Sequence, residues 1–304
     1  MLMVFGRGRY TLGLMDYDVL IINADIDHSL METVLNIERR NVASRLLILM
    51  NTGGGIPFFA YRAMAHLNVL YPKSIEAVVP DMAMSSGTLM CVGVDRIYMS
   101  PGSCLGPLDL QVPHPTDGGQ ISSLDIREAA NDIFGLTTSV TQLLYEQAVN
   151  KMKLGKNQAA KITHDAAVKL LEPIVDKIDP YHLHASYRSA SIGEHYAYIL
   201  LCTRMMKSNY RRAAVTSRIL TEDYEMHSYA ITMDEAKSHL NLTISDIVDL
   251  DLYQEIQPYL SPLPKGIKYI PVRKQKPTAG DKQSKLPLKG EEGKDARKPA
   301  EKTK

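Results

Sequence analysis

The sequence predicts an α/β protein of parallel βαβ units followed by a mostly helical second half. Two patterns carry that prediction. Short, unbroken apolar runs alternate with helix-period segments through the first third of the chain, as strands buried on both faces require. Beyond Gln111 those runs give way to long amphipathic stretches. Strand and helix in strict alternation favour parallel pairing through right-handed crossovers.

Each element has its own justification. Asp18–Ala24 (DVLIINA) is a buried strand bounded by acids, and His28–Arg40 places Leu30, Val34, Leu35 and Ile37 at helical spacing. Arg45–Met50 (RLLILM) is a second buried strand that runs into Asn51-Thr52-Gly53-Gly54-Gly55. Pro57 suits a first helical turn, so Phe58–Leu67 reads as helix. Ile75–Val79 is a third strand, broken by Pro80. Ala83–Val94 reads as a helix of small residues, and Arg96–Met99 as a fourth strand. After a loop over Pro113–Gln120, helices are expected over Leu124–Lys153, Thr163–Lys177, Ala185–Arg211 and Thr232–Leu240. No internal repeat is visible.

Composition excludes several classes. The 304 residues are 45% apolar and 23% charged, enough at this length to bury roughly 75% of the unfolded surface without staples. Cys91, Cys104 and Cys202 form no CxxC and no His/Cys ligand spacing, which argues against a disulfide scaffold or a structural zinc and suits a reducing compartment. No apolar run approaches the roughly 18 residues of a spanning helix. Met1–Phe5 is too short an apolar stretch for a signal peptide. The expected location is cytoplasmic. Charge is uneven: Arg273–Lys304 holds eleven Lys/Arg and five Asp/Glu, a net of +6, which leaves residues 1–272 at −5. The expected organisation is an N-terminal segment 1–17, one domain over 18–264, and a disordered basic tail over 265–304 that could tether an acidic partner or a membrane surface. A mildly acidic body with no basic stripe argues against nucleic acid as its substrate.

Two segments could carry chemistry, and both follow a buried strand, where ligand sites of α/β sheets gather. Asn51-Thr52-Gly53-Gly54-Gly55 allows a sharp turn and brings backbone N–H groups close to a ligand. No Lys-Ser/Thr follows it, which excludes a Walker phosphate loop; a plain turn is the simpler alternative. Met84-Ser85-Ser86-Gly87-Thr88 could hold a serine exposed at a strand-to-helix turn, in the manner of a nucleophile elbow. The simpler alternative is that Ser85 caps the helix. The neighbouring Ser86 leaves the register open by one residue.

Together the two segments resemble the Clp/crotonase superfamily, in which a glycine loop and a Ser-x-Gly lie on adjacent strands. The chain is most similar to the serine dehydrogenase proteinase family, through Met84-Ser85-Ser86-Gly87-Thr88, Leu105-Gly106-Pro107-Leu108-Asp109, and His227-Ser228-Tyr229-Ala230-Ile231 followed by Glu235-Ala236. Signal-peptide peptidase A and the Clp proteolytic subunit are more distant members. The resemblance implies a Clp/crotonase-like βαβ superhelix and a serine peptidase, with Ser85 as nucleophile, Asp109 as orienting carboxylate and His227 as general base. It implies oxyanion donors at Gly54 or Gly55 and at Ser86, a peptide or protein substrate, a homo-oligomer, and in some relatives membrane association. In related membrane peptidases the base is a lysine; Arg127 and Glu128 occupy that neighbourhood here, and arginine cannot serve as a base. No cofactor or metal is expected, and His182 and His184 read as a loop or helix-start pair. Two other readings compete: an inactive pseudo-peptidase serving as an oligomeric scaffold, and a crotonase-type acyl-CoA enzyme.

Overall fold

In a computed structural model of the chain, the structure describes residues 17–39, 42–113, 118–224 and 226–271. The apolar runs fold as parallel strands: β1 (Tyr17–Asn23), β2 (Arg45–Met50), β3 (Ser74–Val79) and β5 (Arg96–Met99), with helices α1 (His28–Leu35) and α2 (Pro57–Leu70) between the first three. They pair in the order β5-β3-β2-β1. β10 (Ile244–Asp246) extends the sheet beside β5, and β11 (Gly266–Ile270) lies antiparallel to β1.

Alternation explains why these runs are apolar throughout. Leu20, Ile22, Leu46, Ile48 and Met50 face the helices, while Val19, Ile21, Leu47 and Leu49 face a second layer holding Ile247, Leu250, Leu252 and Ile256. Neighbouring side chains on a strand point to opposite faces, so a strand covered on both sides has no polar face.

Past the sheet, the same turns build a second row of short strands. Ile26 bridges Gly55 and Thr52 bridges Ala83. β4 (Met82–Ala83) then pairs with β6 (Cys104–Leu105), and β6 with β9 (Ile231–Thr232). Each βα turn therefore contributes to two rows, the superhelical arrangement expected of a Clp/crotonase-like chain. The helical half follows as α4 (Ser123–Asn150), α5 (Lys156–Val175), α6 (Pro180–Thr203) and α7 (Tyr210–Glu222), after α3 (Ser86–Cys91) and the hairpin β7 (Gln111–Pro113) with β8 (Gln120–Ser122). Helices α8 (Met233–Ser238) and α9 (Tyr253–Leu260) complete the body.

Several expectations shift. Ala83, expected to start a helix, is strand together with Met82, because the backbone there is taken by Thr52: Thr52 N–H donates to the Met82 carbonyl and Met84 N–H to that of Thr52, both at 3.0 Å. The helix expected over Ala185–Arg211 is two, with α7 capped by Asn209, whose side chain accepts from Arg212 N–H. The first strand begins at Tyr17 rather than Asp18, and a tail beginning at residue 265 is corrected, since Gly266–Ile270 pairs along β1. The rest of the expected tail, 272–304, lies outside the described residues, as do residues 1–16 of the expected N-terminal segment.

β11 is fastened through Asp18. This fully buried carboxylate accepts from Ala43 N–H at 2.8 Å, the Tyr71 hydroxyl at 2.8 Å and the Tyr269 hydroxyl at 2.7 Å. Burial, then these hydrogen bonds, push the Tyr71 hydroxyl well above its ordinary value, so it stays a donor.

Candidate active site

Ser85 stands between β4 and α3 with φ +47° and ψ −113°, a conformation rarely adopted by residues other than glycine. Strain of this kind costs of order 1–3 kcal/mol and persists only where the surroundings enforce it. They do so here. Gly87 N–H donates to the Met84 carbonyl at 2.7 Å and Leu89 N–H to that of Ser85 at 3.0 Å. Thr88 Oγ1 donates to the Ala83 carbonyl at 2.7 Å and accepts from Gly106 N–H at 2.9 Å. A Cβ on Gly87 would come within 2.6 Å of Thr52 Cγ2, so the glycine of Ser-x-Gly is needed for this close approach.

The capping alternative does not hold. Ser85 occupies the N-cap position, but its hydroxyl makes no capping hydrogen bond. It lines a cavity instead, at 8% residual exposure. Ser86 is fully buried, and its hydroxyl donates to the Gly55 carbonyl at 2.7 Å. The register left open by the sequence is thus separated by burial: one serine faces the cavity, and the next ties the serine turn to the glycine loop.

The glycine loop lies against Ser85. A Cβ on Gly54 (φ +117°) would sit 3.0 Å from Ser85 Cβ, and one on Gly55 (φ +136°) only 2.2 Å from the Ile26 carbonyl oxygen. Gly54 N–H is engaged by Thr52 Oγ1 at 3.1 Å, and the Gly54 carbonyl accepts from Ile26 N–H at 2.7 Å. Among the described residues, the N–H groups of Gly55 and Ser86 meet no acceptor. Of the two glycines the resemblance offers, Gly55 therefore keeps its donor free.

Asp109 and His227 are 118 residues apart and meet at 2.8 Å, Oδ1 to Nδ1. The antiparallel pairing of β6 with β9 brings their segments together. Asp109 is 1% exposed, and the His227 side chain 30%. The hydrogen bond to Asp109 raises the imidazole above its ordinary value; burial opposes this and the carboxylate charge adds to it. With Nδ1 held by a carboxylate, Nε2 is the nitrogen left to exchange a proton.

His227, Ser85, Gly53, Gly55, Ile56 and Pro57 line one cavity of about 470 Å³. The remaining wall is Leu110, Gln111 and Ser189. Sequence reasoning missed all three. Leu110 and Gln111 follow Asp109 directly, which is a usable signal, but Ser189 sits within α6 and nothing in its local sequence marks it. Arg127 is spoken for: its guanidinium pairs with Glu222 at 2.7 Å. Burial pushes the Cys91 thiol up to about 12, which removes it as a nucleophile. His182 and His184 lie in the first turns of α6, and no cluster of metal-ligating side chains occurs among the described residues. No helix among them is long and apolar enough to cross a membrane.

No family model matches the chain. An uncharacterized protein of Methanocaldococcus jannaschii is 25% identical over 218 residues, 71% of this chain and 59% of that protein. The chain thus matches less than two thirds of that relative's length. Two solved structures of the 1510-N membrane-bound stomatin-specific protease, both mutants and one in complex with a substrate peptide, are 14% identical with a TM-score of 0.41. Each match covers 75% of this chain, and 77% and 73% of those chains. At that level of likeness nothing about this chain follows from them.

Proposed function

We propose that the chain is a serine hydrolase that cleaves peptide bonds through an acyl-enzyme on Ser85, as the resemblance to the serine dehydrogenase proteinase family implies. The observation that carries the reading is the 2.8 Å contact of Asp109 with His227, an imidazole lining the same cavity as a strained, uncapped serine. In this reading His227 Nε2 takes the Ser85 hydroxyl proton as Oγ attacks the substrate carbonyl. Asp109 holds the ring in the Nδ1–H tautomer and stabilises the imidazolium that forms. The N–H groups of Gly55 and Ser86 receive the tetrahedral oxyanion, a contribution of about 10²–10³ in rate for each donor in comparable sites. The imidazolium then protonates the leaving amine, and water with the same base releases the acyl group. No part of this chemistry calls for a cofactor.

A fluorophosphonate probe tests it. Labelling of the full chain is expected, with loss in Ser85→Ala and retention in Ser86→Ala. A folded wild-type protein that shows no Ser85-dependent labelling would overturn the reading. The homo-oligomer that the resemblance implies belongs to the same proposal, and sedimentation velocity reads it.

A further inference from the structure

The carboxyl ends of the parallel strands open onto a second cavity, of about 1050 Å³, which shares no lining residue with the one around Ser85. Asn23 ends β1, Asn51 follows β2, Asp81 comes just after β3, and Ser100 follows β5. Four strands thus each deliver a polar side chain to one place, the position where open α/β sheets bind ligands. Ile247, Leu260 and Leu263 supply an apolar wall, and Lys265 a cation. The volume lies just above the roughly 300–1000 Å³ of small-molecule sites and is far larger than a lone ion needs.

The hydrogen bonds orient the amides. Asn23 Nδ2 donates to the Leu263 carbonyl at 2.6 Å, so its Oδ1 turns to Asn51, whose Nδ2 donates to it at 3.3 Å. That chain fixes Asn51 Oδ1 as an acceptor, and this atom is buried without a donor among the described residues. This oxygen is closed off from the cavity, so Asn51 shapes the wall and offers no contact to a ligand. Asp81 and Lys265, both exposed, line the same cavity without forming an ion pair, with each other or with any other described residue. A cavity lined by an unpaired anion, an unpaired cation and an apolar wall matches a molecule carrying both charges and apolar side chains.

We propose that this cavity binds a short peptide with free termini. Its ammonium group meets Asp81, its carboxylate meets Lys265, and its apolar side chains lie against Ile247, Leu260 and Leu263. The proposal concerns binding alone and does not depend on chemistry at Ser85.

Isothermal titration of the full-chain Ser85→Ala protein with the dipeptide Leu-Leu tests it, with N-acetyl-Leu-Leu-amide as the capped control. Saturable one-to-one binding is expected, at least tenfold weaker for the capped peptide. Asp81→Asn and Lys265→Gln on the same background should each weaken Leu-Leu at least tenfold. Both positions are exposed, so thermal unfolding should be unchanged; should a variant fail to fold, the capped control still decides on the unaltered site. The proposal is overturned if Leu-Leu does not bind at millimolar concentration, if the capped peptide binds equally well, or if folded variants bind as tightly as their parent, as they would if the dipeptide sat beside Ser85.

Discussion

Replacing Asp109 by asparagine (Asp109→Asn) keeps the shape of the buried residue and removes its charge, which separates the electrostatic part of the Asp109–His227 contact from its packing. In the proposed reaction the carboxylate fixes the Nδ1–H tautomer and stabilises the imidazolium formed as Ser85 gives up its proton; the second contribution can be sized from charge alone. Two unit charges about 4 Å apart interact by roughly 4 kcal/mol at an effective dielectric of 20 and about 1 kcal/mol in water. His227 is partly exposed, so the charge alone is worth about 2–3 kcal/mol, and a loss of at least about 30- to 150-fold in rate is expected at 1.36 kcal/mol per decade, with the lost tautomer control adding to it. The assay is the second-order rate of fluorophosphonate labelling from about pH 5 to 9, the range in which imidazole titrates. In the parent, the contact raises the His227 pKa above 6.5, so the free base and the labelling rate rise with pH through a midpoint above that value. Asp109→Asn removes the carboxylate's charge and its charge-assisted hydrogen bond, leaving burial, which lowers, opposed only by the smaller backbone contact of residue 109. The midpoint should therefore move down while the plateau falls. A plateau within threefold of the parent with an unmoved midpoint would refute the argument, because no charge on Asp109 would then act on the base.

The other expectations concern stability and register. Gly55→Ala puts a Cβ 2.2 Å from the Ile26 carbonyl oxygen at φ +136°, so backbone strain and overpacking together should cost roughly 2–5 kcal/mol in chemical denaturation. Ser86→Ala removes the 2.7 Å bond to the Gly55 carbonyl and should cost about 1–2 kcal/mol, whereas Ser85→Ala, with no capping bond to lose, should leave the denaturation midpoint nearly unchanged. Asp18→Ala leaves Ala43 N–H and the Tyr71 and Tyr269 hydroxyls without their shared acceptor, a loss of roughly 2–4 kcal/mol. Because the His227 pKa is raised on folding, its contact with Asp109 stabilises fully below the unfolded value near 6.5 and fades as pH climbs through the folded value. His227→Gln should therefore destabilise more at about pH 5.5 than at about pH 9.

Much of the fold is legible because parallel strands covered on both faces must be continuously apolar. Arg45–Met50 and Arg96–Met99 have the same bounds in the sequence reading and in the structure. Met82–Ala83 misleads for a physical reason: two residues of strand leave no periodicity, and only their pairing with Thr52 and β6 makes them one. β11 is equally hidden, since Gly266–Ile270 is short, sits next to a Lys- and Pro-rich stretch, and gains its place through β1 and Tyr269. The glycine loop and the serine turn stand out locally, since sharp backbone geometry demands particular residues at consecutive positions. Asp109 and His227 do not; their link to the site in the sequence is the family resemblance alone.

By itself, then, the chain's sequence determined the buried strands, the glycines at close approach and the serine at a strand-to-helix turn, because each depends on neighbours a few residues away. Tertiary structure alone decided which serine faces the cavity, which glycine keeps a free N–H, and that an imidazole meets a carboxylate 118 residues distant. Those outcomes depend on hydrogen-bond partners and burial supplied by other strands, and nothing in a local window of sequence encodes them.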